Sequence, residues 1–350
     1  MRIEHYIVGA LAGLAGFAAN SAFAASASPA ELAAVENEYA AAIEFAERMG
    51  RVLFDHDRAA AAATDVVIAE HPKEIAKKIQ GWIETPAEDG LIRVLFYRRE
   101  GAALLPSYVV NVKDGQASRE DLYEFGEDSR FDPAELAKVR ARELALRQSF
   151  VPCSKTYNTV TAAGLDGGHS IYLLAATTDP NLILFGGHYR VQIDAAGDNV
   201  LGIDKFTNSC LSMSRTPPDL PQGATLVALV VSQIVTPHPT EIHAWISLAL
   251  GMDVYVVTPE NKALWFVSGG DIQIKDRLKD KAKASLGLDE GGASEPAVFG
   301  AAASDDAARE RCIHMLVTQG TEGGCNGALH EPIAAALGRV TSVGHVGPDQ

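Results

Sequence analysis

Leu91-Ile92-Arg93-Val94-Leu95-Phe96-Tyr97-Arg98-Arg99, followed within a few residues by Ser107-Tyr108-Val109-Val110-Asn111-Val112-Lys113, is the stretch that sets the fold class. Side chains of a strand alternate between its two faces, so Ile92, Val94 and Phe96 share one face of the first strand and Tyr108, Val110 and Val112 one face of the second. The pair reads as an antiparallel hairpin, and Asp114-Gly115 marks the turn after it.

Working outward, Ser28-Pro29-Ala30-Glu31 is a capping box with proline in the first turn, and Leu32, Val35, Tyr39, Ile43, Ala46 and Met49 form a helical stripe behind it. Gly50 is placed to end a helix at 28–49. Val52–Phe54 is then a short apolar piece, Asp55-His56-Asp57 a surface turn, Thr64–Ala69 a strand and Gly81–Thr85 a weaker one. Asp132-Pro133 opens a second helix to residue 150, with Glu143 and Arg147 spaced as a surface ion pair. Its two apolar stripes, Ala137/Ala141/Leu144 and Leu136/Val139/Leu146/Phe150, suit a helix sandwiched between layers.

From Tyr157 to Phe206 the pattern becomes a meander, with strands at 157–163, 170–178, 182–194 and 199–206. Thr225–Val235 is a nearly continuous apolar run that reads as a strand buried on both faces, Thr240–Leu250 a helix stopped by Gly251, and Val254–Thr258 and Ala263–Val267 two further strands. The expected class is α+β: antiparallel sheets packed by helices at 28–49 and 132–150, with a β-α-β unit at 225–267. A Greek-key barrel with added helices is the competing architecture. The reading divides the chain into a signal peptide at 1–24, an α+β region at 25–131, a β-rich α+β domain at 132–286, and an acidic Gly/Ala-rich tail at 287–350. The alternating charges of 276–286 suit a solvated helix, and the tail carries one helical patch near 305–317.

The signal peptide rests on Arg2, an apolar run from Tyr6 to Ala19, and Ala22-Phe23-Ala24 as an A-x-A site, with cleavage expected after Ala24. That run is short for a bilayer, and no later segment supplies the roughly 20 apolar residues of a spanning helix, so no transmembrane anchor is expected after processing. The destination is periplasmic or secreted. There the four cysteines are expected as disulfides, Cys153 with Cys210 and Cys312 with Cys325. The first would contribute roughly 4 kcal/mol in the chain-entropy model.

The 350 residues carry a formal charge of −15, which argues against nucleic acid as a partner, because neutralising phosphates requires clustered Lys and Arg. No Gly-x-Ser-x-Gly elbow, phosphate-binding loop or His-Glu-x-x-His pair is present. Thr236-Pro237-His238-Pro239-Thr240-Glu241-Ile242-His243 concentrates two imidazoles and a carboxylate at a helix mouth, ligands that zinc accepts. His238, Glu241 and His243, joined by His188, are therefore the candidate metal set, while Thr240 and Glu241 equally suit an ordinary helix start. Gly186-Gly187-His188-Tyr189-Arg190 places His188 and Arg190 on one strand face, able to hold an anionic small molecule. With Trp245 they form the candidate ligand set. Cys210 as a nucleophile beside His188 or His243 is disfavoured, because an exported cysteine with a partner is oxidised. The expectation is an exported, soluble, non-catalytic binding or envelope-associated factor, with a small molecule or an envelope protein as partner. The alternative is a metal-dependent hydrolase acting through residues 238–243.

Overall fold

A computed structural model describes residues 27–71, 78–216 and 228–277, together with the backbone of 299–301. The signal segment, the tail helix near 305–317 and the Cys312–Cys325 pair lie outside the described residues, as does most of the charged stretch at 276–286. The class is α+β, with antiparallel sheets packed by helices.

Helix α1 spans Pro29–Glu70, capped by the Ser28/Glu31 box. It corrects four expectations at once: Gly50 does not end it, and Val52–Phe54, Asp55–Asp57 and Thr64–Ala69 are all helical. The apolar stripe simply continues as Leu53, His56, Ala60, Ala63 and Val67, and the alanine-rich run has high helix propensity. Gly50 serves a different purpose. A Cβ there would lie 2.5 Å from Ala244 Cβ and 3.1 Å from the Glu241 carbonyl oxygen, so the glycine lets another helix cross at backbone distance.

The first sheet holds β1 (Ile79–Pro86), β2 (Leu91–Glu100), β3 (Ala103–Lys113) and β4 (Leu122–Glu124), all antiparallel. The expected hairpin is present, and its register sets Ile92 opposite Val112, Val94 opposite Val110 and Phe96 opposite Tyr108. Helix α2 (Pro133–Leu146) is shorter than expected. Glu143 is buried rather than in a surface pair with Arg147, and it receives hydrogen bonds from Tyr97 (2.7 Å) and Arg99 (2.6 Å). The helix does sit between layers. Val139 packs on Ile83, Leu95 and Tyr97 of the first sheet, while Ala141 and Ala145 pack on Ile171, Leu173 and Val191 of the second.

That second sheet is β5 (Thr156–Ala163), β6 (His169–Ala176), β8 (Tyr189–Ile193) and β9 (Val200–Lys205), antiparallel in that order. The expected single strand at 182–194 is broken, because β7 (Leu182–Leu184) leaves to pair with β10 (Ser212–Ser214), and Gly187, at φ +84°, makes the turn. The third sheet is mixed. Strands β11 (Ala228–Ser232) and β12 (Asp253–Thr258) run parallel with helix α3 (Glu241–Leu250) between them in sequence, and β13 (Ala263–Ser268) follows. Strands β14 (Asp271–Arg277), which the sequence reading missed, and β15 (Phe299–Ala301) complete it.

The first half of α1 packs over α3 and the third sheet through Ile43, Ala46, Met49 and Leu53, and its second half covers the first sheet through Ala59, Ala63 and Val67. Its polar face is tied to the far end of the described chain: Glu47 accepts the Ile272 N–H at 2.7 Å, and Arg51 bonds the Gly269 carbonyl and pairs with Asp271. Among the described residues no helix is long and apolar enough to cross a membrane.

Replacing Gly50 with valine is expected to lower unfolding stability by about 2 kcal/mol, since forcing methyl groups into a packed crossing costs more than the helix-propensity gain returns. Urea denaturation with far-UV circular dichroism checks this. Unchanged stability would mean that the two helices do not meet there.

Candidate functional site

The helix mouth at α3 is built by its own side chains. Thr240 caps the helix, and His243 Nδ1 accepts the Thr240 N–H at 3.1 Å, taking the part a glutamate usually plays in a capping box. His188 is equally committed: Nδ1 accepts the Ala175 N–H at 3.1 Å, and Nε2 lies 3.1 Å from the Leu184 carbonyl, to which it donates. Both imidazoles are buried, and burial pushes each down to about pH 4, so they are neutral structural groups. Trp245 stands edge-on to His188 with ring centres 5.4 Å apart, half-buried against the core. It does not reach the cleft.

Three of the expected residues do open into one cavity. A cleft of about 400 Å³ lies between α1, β9 and the segment linking β11 to α3, and His238, Glu241 and Arg190 all line it. Its α1 wall is Ala42, Phe45 and Ala46, one helical turn that no polar motif singled out. Arg190 reaches Glu241 at 2.8 Å and Asp204 at 2.8 Å, with its guanidinium against the rings of Phe45 and Phe206. Tyr172 donates to the same Glu241 oxygen at 2.9 Å, and Gln192 donates to Asp204 at 2.9 Å. Burial and the Glu241 charge hold the Tyr172 hydroxyl well above its ordinary range, which keeps it a donor. Arg190 thus joins two carboxylates instead of standing free for an anion.

His238 differs from the other two histidines. Its Nδ1 lies 2.8 Å from the Pro239 carbonyl and donates to it, so Nε2 carries the lone pair. The ring, half-buried, lies 5.5 Å from that of Tyr39. Of the four residues of the expected metal set, His238 and Glu241 share the cleft, while His188 and His243 are buried on main-chain partners and do not line it. Among the described residues, no group of three or more His, Cys, Asp or Glu side chains gathers around a point that could hold a metal ion.

The disulfide Cys153–Cys210 is present and braces the strand that lines the cleft. A Cβ on Gly187 would fall 2.3 Å from Cys153 Cβ, and Gly186 N–H donates to the Leu211 carbonyl beyond Cys210. The paired glycines noticed in the sequence therefore admit the crosslink at the turn before β8.

A second polar group, missed from sequence, joins the first two sheets. Glu84 of β1 accepts the Thr161 N–H of β5 at 3.0 Å and the Trp82 indole N–H at 2.8 Å, and burial pushes its carboxyl up to about pH 7. Arg142 of α2 lies against Trp82, occupies the space a Gly81 side chain would take, and bonds Thr159 and Tyr97 at 2.8 Å each. His56, expected on a surface turn, is buried beside this group and pushed down by that burial to about pH 4. Only the glycine at position 81 hints at this in the sequence.

Comparison of the chain with protein families, with curated proteins and with solved structures finds no match.

The buried ionisable groups fix an acid response. His56, His188 and His243, lowered from 6.5 to about 4, remain neutral in the folded protein while the unfolded chain protonates below pH 6.5. Glu84, raised from 4.5 to about 7, acts oppositely, its contribution lost as pH rises through that interval. Between pH 6.5 and 4.5, unfolding should take up three protons less one. Stability should then fall by about 3 kcal/mol per pH unit as the solution is acidified. Urea midpoints across this range test the slope, and His188→Gln should reduce it by one proton. A flat profile would contradict the burial of these imidazoles.

Proposed function

We propose that this protein is an exported, soluble, non-catalytic binding factor of the periplasm or extracellular space, which holds its ligand in the cleft between α1, β9 and the 233–240 segment. The observation carrying this reading is the closed hydrogen-bond network at the cleft wall, in which Tyr172, Arg190, Glu241, Asp204 and Gln192 satisfy one another. Polar groups locked in this way give a preorganised recognition surface, whereas a general base or nucleophile needs an uncommitted lone pair. His238 supplies one such lone pair at the rim and is read as a ligand contact. Export is supported by the A-x-A sequence at 22–24 and by the Cys153–Cys210 crosslink, a bond that persists in oxidising compartments.

Cell fractionation with amino-terminal sequencing should find the protein outside the cytoplasm, beginning at Ala25. An unprocessed cytoplasmic product would remove the export half of the proposal. For binding, thermal-shift screening of the mature protein against small organic ligands should give stabilising hits that disappear in Ala42→Trp, a half-exposed helical position where the indole fills the cleft. Metal analysis of the same preparation decides against the hydrolase alternative: stoichiometric zinc that His238→Ala removes would overturn the non-catalytic reading.

A further inference from the structure

The cleft is touched by four successive residues of the β9 region, Ile203, Asp204, Lys205 and Phe206. Because side chains alternate along a strand, four in a row means that the strand presents its edge to the cavity rather than one face. β9 is the last strand of its sheet, bonded to β8 on one side, and no strand occupies its other side among the described residues. The facing wall, Gln233, Val235 and Thr236, belongs to the segment that continues from β11. The cavity is therefore a slot beside an open sheet edge roughly 20 Å long for six strand residues.

Open edges are ordinarily blunted by charge, proline or bulges. Here the protection is a bulge at Leu201 and the charges of Asp204, paired with Arg190, and Lys205, while the edge also shows apolar side chains, with Leu201 62% and Ile203 43% exposed. Ile234, on the facing segment, is 49% exposed. Charge defines the occupant further. In the slot wall two carboxylates, Asp204 and Glu241, balance the cations of Arg190 and Lys205, so the field an approaching segment meets is set by the chain as a whole, which carries −15. An acidic segment would be repelled, and a basic one attracted.

We propose that the slot takes an extended segment of a partner protein, alternating apolar and basic residues, which adds to β9 as a further strand. Main-chain hydrogen bonds to the free edge would supply affinity, and Leu201 and Ile203 along the edge, with Val235 across the slot, would receive the apolar side chains. This names the partner for the cleft whose binding role is proposed above, and it rests on that reading.

The test uses the mature protein, residues 25–350, and fluorescein-labelled heptapeptides followed by anisotropy. The probe alternates valine and lysine. One control carries glutamate in place of lysine, and another carries proline at alternate positions, which cannot donate to a strand ladder. The valine–lysine peptide should bind, with both controls and the Ile203→Lys variant weaker by about tenfold or more. Circular dichroism and the thermal midpoint of Ile203→Lys should match the unsubstituted protein. Equal binding of the proline peptide would overturn strand addition. If no peptide binds while small ligands still stabilise the protein but not Ala42→Trp, the peptide inference falls and the binding role stands. If neither binds, both fall. A concentration-dependent dimer in ultracentrifugation, lost in Ile203→Lys, would assign the edge to a second copy and overturn the inference.

Discussion

The crossing of α1 and α3 at Gly50 is the contact on which the rest of the molecule depends. With no side chain at Gly50, Ala244 and the α3 backbone come against α1, and α3 can lie flat between the long helix and the third sheet. That position fixes the mouth of α3, and with it Thr240, Glu241 and the segment that faces β9. Glu241 then reaches across to Arg190 and Tyr172 of the second sheet. A larger residue at position 50 would push α3 outward and pull the carboxylate from both partners, so the packing of two helices and the shape of the cleft are one constraint.

The same long helix explains why the three larger sheets make one protein. Its two halves cover different sheets, and α2 fills the space between the first and second. Where those two sheets meet at β1 and β5, the contact is made by the Glu84 carboxylate accepting a main-chain N–H. Removing one partner from such a buried pairing leaves an unsatisfied donor, a cost of roughly 1–3 kcal/mol.

Local signals in the sequence carried much of this. Alternation gave the β2–β3 hairpin and the residues that share each strand's face, and the capping residues Ser28, Asp132 and Thr240 marked the starts of the three α-helices among the described residues. Gly50 misled because a glycine at the end of an apolar stripe reads as a stop signal, and the packing that makes it an interior residue comes from Ala244, 194 positions later. Of the site, His238, Glu241 and Arg190 were legible as polar residues beside turns. Their grouping with Phe45 and Asp204 was not, since the wall comes from α1 and the partner from β9. Glu84 and Arg142 stayed hidden for the same reason, as each satisfies the other's surroundings across a separation that no local pattern records.

The ties between α1 and β14 also set the order in which the molecule can be completed. Glu47 and Arg51 find their partners at Ile272, Gly269 and Asp271, more than 200 residues downstream. During synthesis the apolar stripe of α1 therefore emerges long before the strand that helps to cover it, and contacts closed over such a span slow folding. A chain built in this way stays unfinished, with part of that stripe uncovered, until most of it has left the ribosome.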